Sequence, residues 1–186
     1  MKSVLMGSDI IRKVYPQETL SKLEQLAGLD SSRIISGENR EFCAEVLAET
    51  DVIFSTWGMP VFSEEEIRRC LPKLKAIYYA AGSVQAFAKP FLNCGVRIFS
   101  AWAANAVPVA EFAVAQIILA NTGYFQAARY HSAGDTARSY PFAHSFPGNY
   151  GCRVGILGAG QIGTLVIKML KSYRLDIMVF DPFLSE

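Results

Sequence analysis

The segment from Arg153 to Asp181, RVGILGAGQIGTLVIKMLKSYRLDIMVFD, limits what this chain can fold into more than any other. An apolar run from Val154 to Leu157 stops at a glycine-rich turn, the pattern of a buried strand entering a ligand loop. The turn reads Gly158-Ala159-Gly160-Gln161-Ile162-Gly163, which fits G-x-G-x-x-G. After it, Ile162, Leu165, Val166 and Met169 recur at spacings of three and four and predict an amphipathic helix. Ile177 to Phe180 then predict a second buried strand, closed by Asp181. A strand, turn, helix and strand within about 30 residues is the βαβ unit that binds dinucleotides.

Each part of this unit has a chemical reason. Gly158 permits the tight turn, Gly160 lets backbone amides approach a pyrophosphate, and Gly163 lets the helix lie close to its strand. The helix start, at Gln161 and Ile162, offers unpaired amides and a partial positive charge to the phosphates. Asp181 follows the glycines at about the 20-residue interval at which a carboxylate accepts hydrogen bonds from the adenosine ribose. A carboxylate there repels a 2′-phosphate, so the expected cofactor is NAD rather than NADP. Asp181 also precedes Pro182, and Asp-Pro is a turn signal in its own right.

With 186 residues the chain has room for one full domain and part of another. Hydrophobic residues make up 51% and charged ones 19%, with a net charge of +1, which gives no electrostatic case for nucleic acid or an anionic membrane. No apolar run is read as reaching the ~18 to 20 residues of a membrane span, and the N-terminus lacks a signal peptide's apolar core. A soluble, cytoplasmic protein is the expectation. The four cysteines form no CxxC pair and are expected to be reduced thiols. His131 and His144 have no ligand partner at metal-binding spacing, so no metal site is expected.

Ahead of the fingerprint, short apolar runs alternate with helical patterns. Lys2 to Met6, Arg33 to Ile35, Asp51 to Ser55, Lys75 to Ala80 and Val96 to Phe99 are expected strands. Helices are expected around Pro16 to Ala27, with Leu20, Leu23, Leu26 and Ala27 buried, around Phe42, Val46 and Leu47, after Ser63, and around Ala86 to Leu92. That alternation predicts a parallel sheet with crossover helices. The acidic run Ser63-Glu64-Glu65-Glu66 has the spacing of a capping box, which explains it better than catalysis does. A long, nearly uncharged helix is expected from Asn105 or Val107 to about Ala128, with Pro108 in its first turn, buried between domains or subunits. From His131 to Tyr150 the composition predicts a long loop or arm.

Three of these segments carry a resemblance: the Val154 to Asp181 fingerprint, the helix start Asn105-Ala106-Val107-Pro108-Val109-Ala110-Glu111, and the strand and turn from Leu74 to Val84. Together they resemble, in order and from Lys2 to Asp181, the N-terminal part of a D-isomer-specific 2-hydroxyacid dehydrogenase. The resemblance implies an α/β architecture. A flavodoxin-like five-stranded parallel substrate domain would occupy residues 1–101. An incomplete Rossmann domain, including the long linking helix, would occupy 102–186. It also implies a 2-hydroxy or 2-oxo acid bound in the cleft between them and a homodimer formed through the long helix and the arm after it.

By the same resemblance the backbone amides of Gly82 and Ser83 would hold the substrate carboxylate. Asn105 matches the family's carboxylate-positioning asparagine, though a plain helix N-cap explains an asparagine there equally well. Trp57 is at most a lining residue. The turn reads Ala81-Gly82-Ser83-Val84-Gln85 and so departs from the family's pattern, lacking its Asp-Asn pair. The family's catalytic arginine, glutamate and histidine lie downstream of the second Rossmann strand, and neither His131 nor His144 matches that histidine. No catalytic residue is therefore assigned. The expectation is a portion of a longer dehydrogenase, inactive alone, or else a non-catalytic module that senses NAD or docks a partner.

Overall fold

A computed structural model describes residues 1–183, which divide into two compact units, Met1–Asn105 and a second beginning at Ala106. The first unit contains β1 (Ser3–Met6), α1 (Ile11–Val14), α2 (Gln17–Ala27), β2 (Leu29–Ile35), α3 (Ala44–Ala48), β3 (Val52–Ser55), α4 (Glu64–Cys70), β4 (Ala76–Tyr79), α5 (Ala88–Asn93) and β5 (Arg97–Ser100). All strand pairs are parallel, in the order β2-β1-β3-β4-β5, which is flavodoxin-like.

Buried parallel strands must satisfy both sheet faces, and the period of two along each strand does this. On β1, Val4 and Met6 join Ile53, Ile77 and the α4 and α5 residues Ile67 and Phe91 on one face. Leu5 joins Val52, Phe54 and the α1 and α2 residues Ile11 and Leu20 on the other. The expected strands are all present. β2 starts earlier than expected because Leu29 is buried. The polar stretch that follows is accommodated by a register shift between Val4 and Leu5 that leaves Ser32 and Arg33 exposed on an edge strand.

Two expected core residues of the first unit are exposed. Leu26 is 78% exposed. At ~100° per residue it lies about 120° from Leu20, whereas Ala27 returns to the buried side. Phe42 is 89% exposed because it falls in a 3₁₀ turn, Arg40–Cys43, and Cys43 takes the inward position one turn before Leu47. The acidic run is a capping box. The Glu66 amide donates to Ser63 Oγ at 3.1 Å, and the Ser63 amide donates to Glu66 Oε2 at 2.8 Å. Glu66 also pairs with Arg40 at 2.9 Å, so both of its carboxylate oxygens have a structural partner.

α6 spans Trp102–Asn121 and carries the boundary between the units. It starts three residues before Asn105, so Asn105 is inside the helix and is not its N-cap; the Asn105 amide donates to Ala101 at 2.9 Å. Pro108 is likewise inside the helix rather than in its first turn. By length and composition α6 could cross a membrane, which corrects the expectation that no run would. Pro108, Glu111 and Gln116 interrupt its apolar character, and its Ala110 and Val114 pack within the second unit. Nor is α6 buried all round, since Phe112 is 67% exposed.

The second unit continues with α7 (Tyr124–Ser132), α8 (Thr136–Ala143), β6 (Arg153–Leu157), α9 (Gln161–Leu170) and β7 (Asp176–Phe180). The long helix ends at Gly123, whose φ of +67° closes it. The expected loop after His131 is instead largely a helical hairpin. Asp135 caps α8, and Tyr130 and Phe142 meet edge to face at 5.3 Å. β6 and β7 form a two-stranded parallel sheet. α9 places Val166 and Leu170 against Ala110 and Val114 of α6. The other sheet face is bare, with Leu157 86% and Phe180 66% exposed, so these strands are covered on one side only and not fully buried as expected.

Candidate functional site

In the second unit the fingerprint residues converge on one turn. Gly158 has a φ of +93°, a conformation that favours glycine, and its amide donates to the Phe180 carbonyl at 2.8 Å. Gly160 is the N-cap of α9 in extended conformation, and a Cβ there would meet nothing within 4 Å. A Cβ on Gly163 would land on the Gly158 carbonyl oxygen, with the Gly158 carbonyl carbon at 3.0 Å. The glycines thus divide their tasks: Gly158 turns the chain, Gly163 brings helix and strand together, and Gly160 keeps space open in front of the helix. The amides of Gln161 and Ile162 open α9 without intrahelical acceptors.

Asp181 reaches this turn from the end of β7. Its Oδ2 accepts from the Ala159 amide at 2.6 Å and its Oδ1 from the Phe183 amide at 2.9 Å. These bonds, Phe183 first and Ala159 second, hold the carboxyl below its usual range. An ionised carboxylate accepts about four hydrogen bonds, so capacity remains for a ribose hydroxyl. All six fingerprint residues, Gly158, Gly160, Gln161, Ile162, Gly163 and Asp181, lie at or beside one loop. The open space at Gly160, the unpaired first-turn amides and the carboxylate at the loop fit a dinucleotide.

In the first unit the carboxyl ends of the strands bring a second group together. Gly82 and Ser83 follow β4, and Asn105 comes to Gly82 from the first turns of α6. A Cβ on Gly82 would lie 3.1 Å from Asn105 Nδ2. Among the described residues the amides of Gly82, Ser83 and Val84 donate no hydrogen bond, so the turn is a small concentration of free donors. Trp57, after β3, is half exposed, and its carbonyl accepts from the Ser8 amide and hydroxyl, each at 3.1 Å.

One contributor went unnoticed in the sequence. Ser100 Oγ lies 3.0 Å from the Ala81 carbonyl oxygen and 2.5 Å from that of Gly82. Only the juxtaposition of β4 and β5 reveals it; a serine closing a strand carries no motif. His131 and His144 both fall in the α7–α8 region, where His144 stacks edge-on against Tyr140 at 4.3 Å. No cluster of three or more potential metal ligands occurs among the described residues.

No family model matches the chain. Among curated relatives, a glyoxylate reductase of Korarchaeum cryptofilum is 24% identical over 178 residues, covering 95% of this chain and 53% of the relative. Among solved structures, the NAD-dependent formate dehydrogenase of Staphylococcus aureus in complex with NAD superimposes with a TM-score of 0.66 at 22% identity, covering 98% of this chain and 56% of that one. An acyclic imino acid reductase in complex with NADPH and D-Arg gives a TM-score of 0.75 at 17% identity, covering all of this chain and 58% of that one. The chain spans about half the length of that glyoxylate reductase and of the solved structures, and 31% of a D-3-phosphoglycerate dehydrogenase of Methanocaldococcus jannaschii to which it is 24% identical. Its curated relatives are consistently 2-hydroxyacid dehydrogenases, and it is the D-2-hydroxyacid dehydrogenase family that this chain resembles, in sequence and in fold.

Proposed function

We propose that this chain forms part of an NAD-dependent oxidoreductase that interconverts a 2-hydroxy acid and a 2-oxo acid. The observation that carries the proposal is the Gly158 to Asp181 turn, where open space, free amides and a ribose-accepting carboxylate coincide. In this reading the first unit is the substrate domain and the second the start of the dinucleotide domain. NAD would supply the hydride acceptor, held by the amides of Gln161 and Ile162 and by Asp181. Gly82, Ser83 and Asn105 would hold the substrate carboxylate and so orient the carbon that exchanges hydride. The relatives' double length supports taking this chain as a portion that is inactive alone.

The fold does not choose between cofactors, since similar structures hold NAD and NADPH. Asp181 favours NAD, because a 2′-phosphate would place two or so negative charges against its carboxylate. Its pKa is lowered in the fold, so its contribution is full above the unfolded value and disappears only as pH falls through the lowered one. NAD affinity is accordingly expected to be flat from about pH 8 to about pH 5 and to weaken only below about pH 4. Calorimetric titration across that range checks this; a loss setting in near neutrality would point to another group.

A cytoplasmic homodimer completes the proposal; the exposed apolar residues of α6 and of the β6–β7 face support its dimeric part. The second reading is a non-catalytic module that senses NAD or docks a partner, keeping the Gly158 to Asp181 unit without the chemistry. The test is oxidation of NADH with glyoxylate, hydroxypyruvate or pyruvate by the protein extended to its relatives' length. Turnover with one of these is expected, whereas NAD binding with no turnover on any would support the module.

A further inference from the structure

We infer that Ser100 is a positioning residue for the substrate carboxylate, its hydroxyl fixing the two peptide planes whose amides bind that group. The inference rests on the carboxylate-binding role proposed above for Gly82 and Ser83. Ser100 ends β5 beside β4, an alignment set by the pairing of Tyr79 with Ser100 and by the Ala101 amide donating to the Tyr79 carbonyl at 2.9 Å. From there Oγ reaches the Ala81 carbonyl oxygen at 3.0 Å and that of Gly82 at 2.5 Å. A serine hydroxyl has one proton, so it is shared between the two acceptors, with the shorter contact to Gly82 taking the larger part.

Both peptides are trans, since no cis bond occurs among the described residues, and in a trans peptide N–H and C=O point to opposite sides of one plane. Drawing the Ala81 and Gly82 carbonyls toward Ser100 therefore turns the Gly82 and Ser83 amides away from it, both in one direction. Those are the amides that have no acceptor among the described residues. Gly82 lacks a Cβ and Ser83 is exposed, so little else holds the plane between them. The neighbouring Asn105 Nδ2 adds a donor at Gly82. Ser100 thus removes, before a ligand arrives, a peptide flip that would point an acceptor instead of a donor at a carboxylate.

The test titrates glyoxylate into the protein and follows the amide resonances of Gly82 and Ser83 by proton–nitrogen NMR, for the native protein and for Ser100→Ala and Ser100→Thr. Both amides should shift in the native protein. Ser100→Ala should weaken the fitted affinity about tenfold, and Ser100→Thr, which keeps the hydroxyl, should stay within about threefold. Should Ser100→Ala not fold, Ser100→Cys, close in size but a weak donor, is expected to give the same loss. Shifts at Gly82 and Ser83 with native-like affinity in the Ala or Cys variant would overturn the role of Ser100 while leaving the carboxylate site standing. No shift at either amide in the native protein would overturn the carboxylate site and the inference with it.

Discussion

A Gly163→Ala substitution is expected to destabilise the second unit by about 1 to 2 kcal/mol, although alanine is the better helix former. Two effects oppose each other. Gly163 is the third residue of α9, where propensity alone would make alanine favourable by about 0.8 to 1 kcal/mol. The added methyl, however, would sit on the Gly158 carbonyl oxygen, a backbone atom held in place by the positive φ of Gly158 and by its amide bond to Phe180. Relief requires α9 to move off β6, and with it Val166 and Leu170, the buried anchors against α6. Overpacking against rigid backbone outweighs the propensity gain. Urea unfolding of the two proteins, compared at equal slope, checks the prediction; a neutral or stabilising result would mean that α9 does not lie as close to its strand as described.

A Gly160→Leu substitution should do the reverse, leaving stability within about 1 kcal/mol and lowering NAD affinity about 100-fold. The N-cap conformation of Gly160, φ −65° and ψ −164°, is open to any residue, and a Cβ there points into open space. The fold therefore asks for glycine only through the mild N-cap preference, which does not require it. A ligand does, because a side chain would stand between the phosphates and the amides of Gln161 and Ile162, removing about two charge-assisted hydrogen bonds of 1.5 kcal/mol or more each. Calorimetric titration with NAD, paired with a thermal melt, separates the two outcomes. Unchanged affinity with an unchanged melt would remove Gly160 from the cofactor site.

The contrast between these two glycines also shows which features are legible in the sequence. The turn from Gly158 to Gly163 and the acid at Asp181 were legible because the unit is local: residues adjacent in sequence make the loop, and its strand and helix carry distinct apolar periods. The five strands of the first unit were legible for the same reason, as short apolar runs punctuated by glycine and acidic residues. Proline misled at α6. Pro108 favoured a helix beginning just before it, but the chain enters the helix at Trp102 and accommodates the missing amide inside. Asn105 thereby changed from a possible cap to a side chain beside Gly82.

The failures share a cause in tertiary context. Composition from His131 to Tyr150 argued for a loop, yet Phe142 packs on both Tyr130 and Phe146 and holds α7 and α8 as helices. Leu26 and Phe42 are apolar residues whose exposure depends on helical phase and on a 3₁₀ turn, both finer than a pattern of leucines can resolve. Ser100 is the most telling case. It bonds to carbonyls on a neighbouring strand, and no spacing rule relates the two.

The most direct test of the account is an NAD titration followed residue by residue in the amide spectrum of this chain. Saturable shifts confined chiefly to Gly160, Gln161, Ile162, Gly163 and Asp181, abolished by Gly160→Leu and not produced by the same concentration of NADP, are the predicted result. Saturable shifts that leave this loop untouched, or a loop that responds equally to NADP, would contradict it.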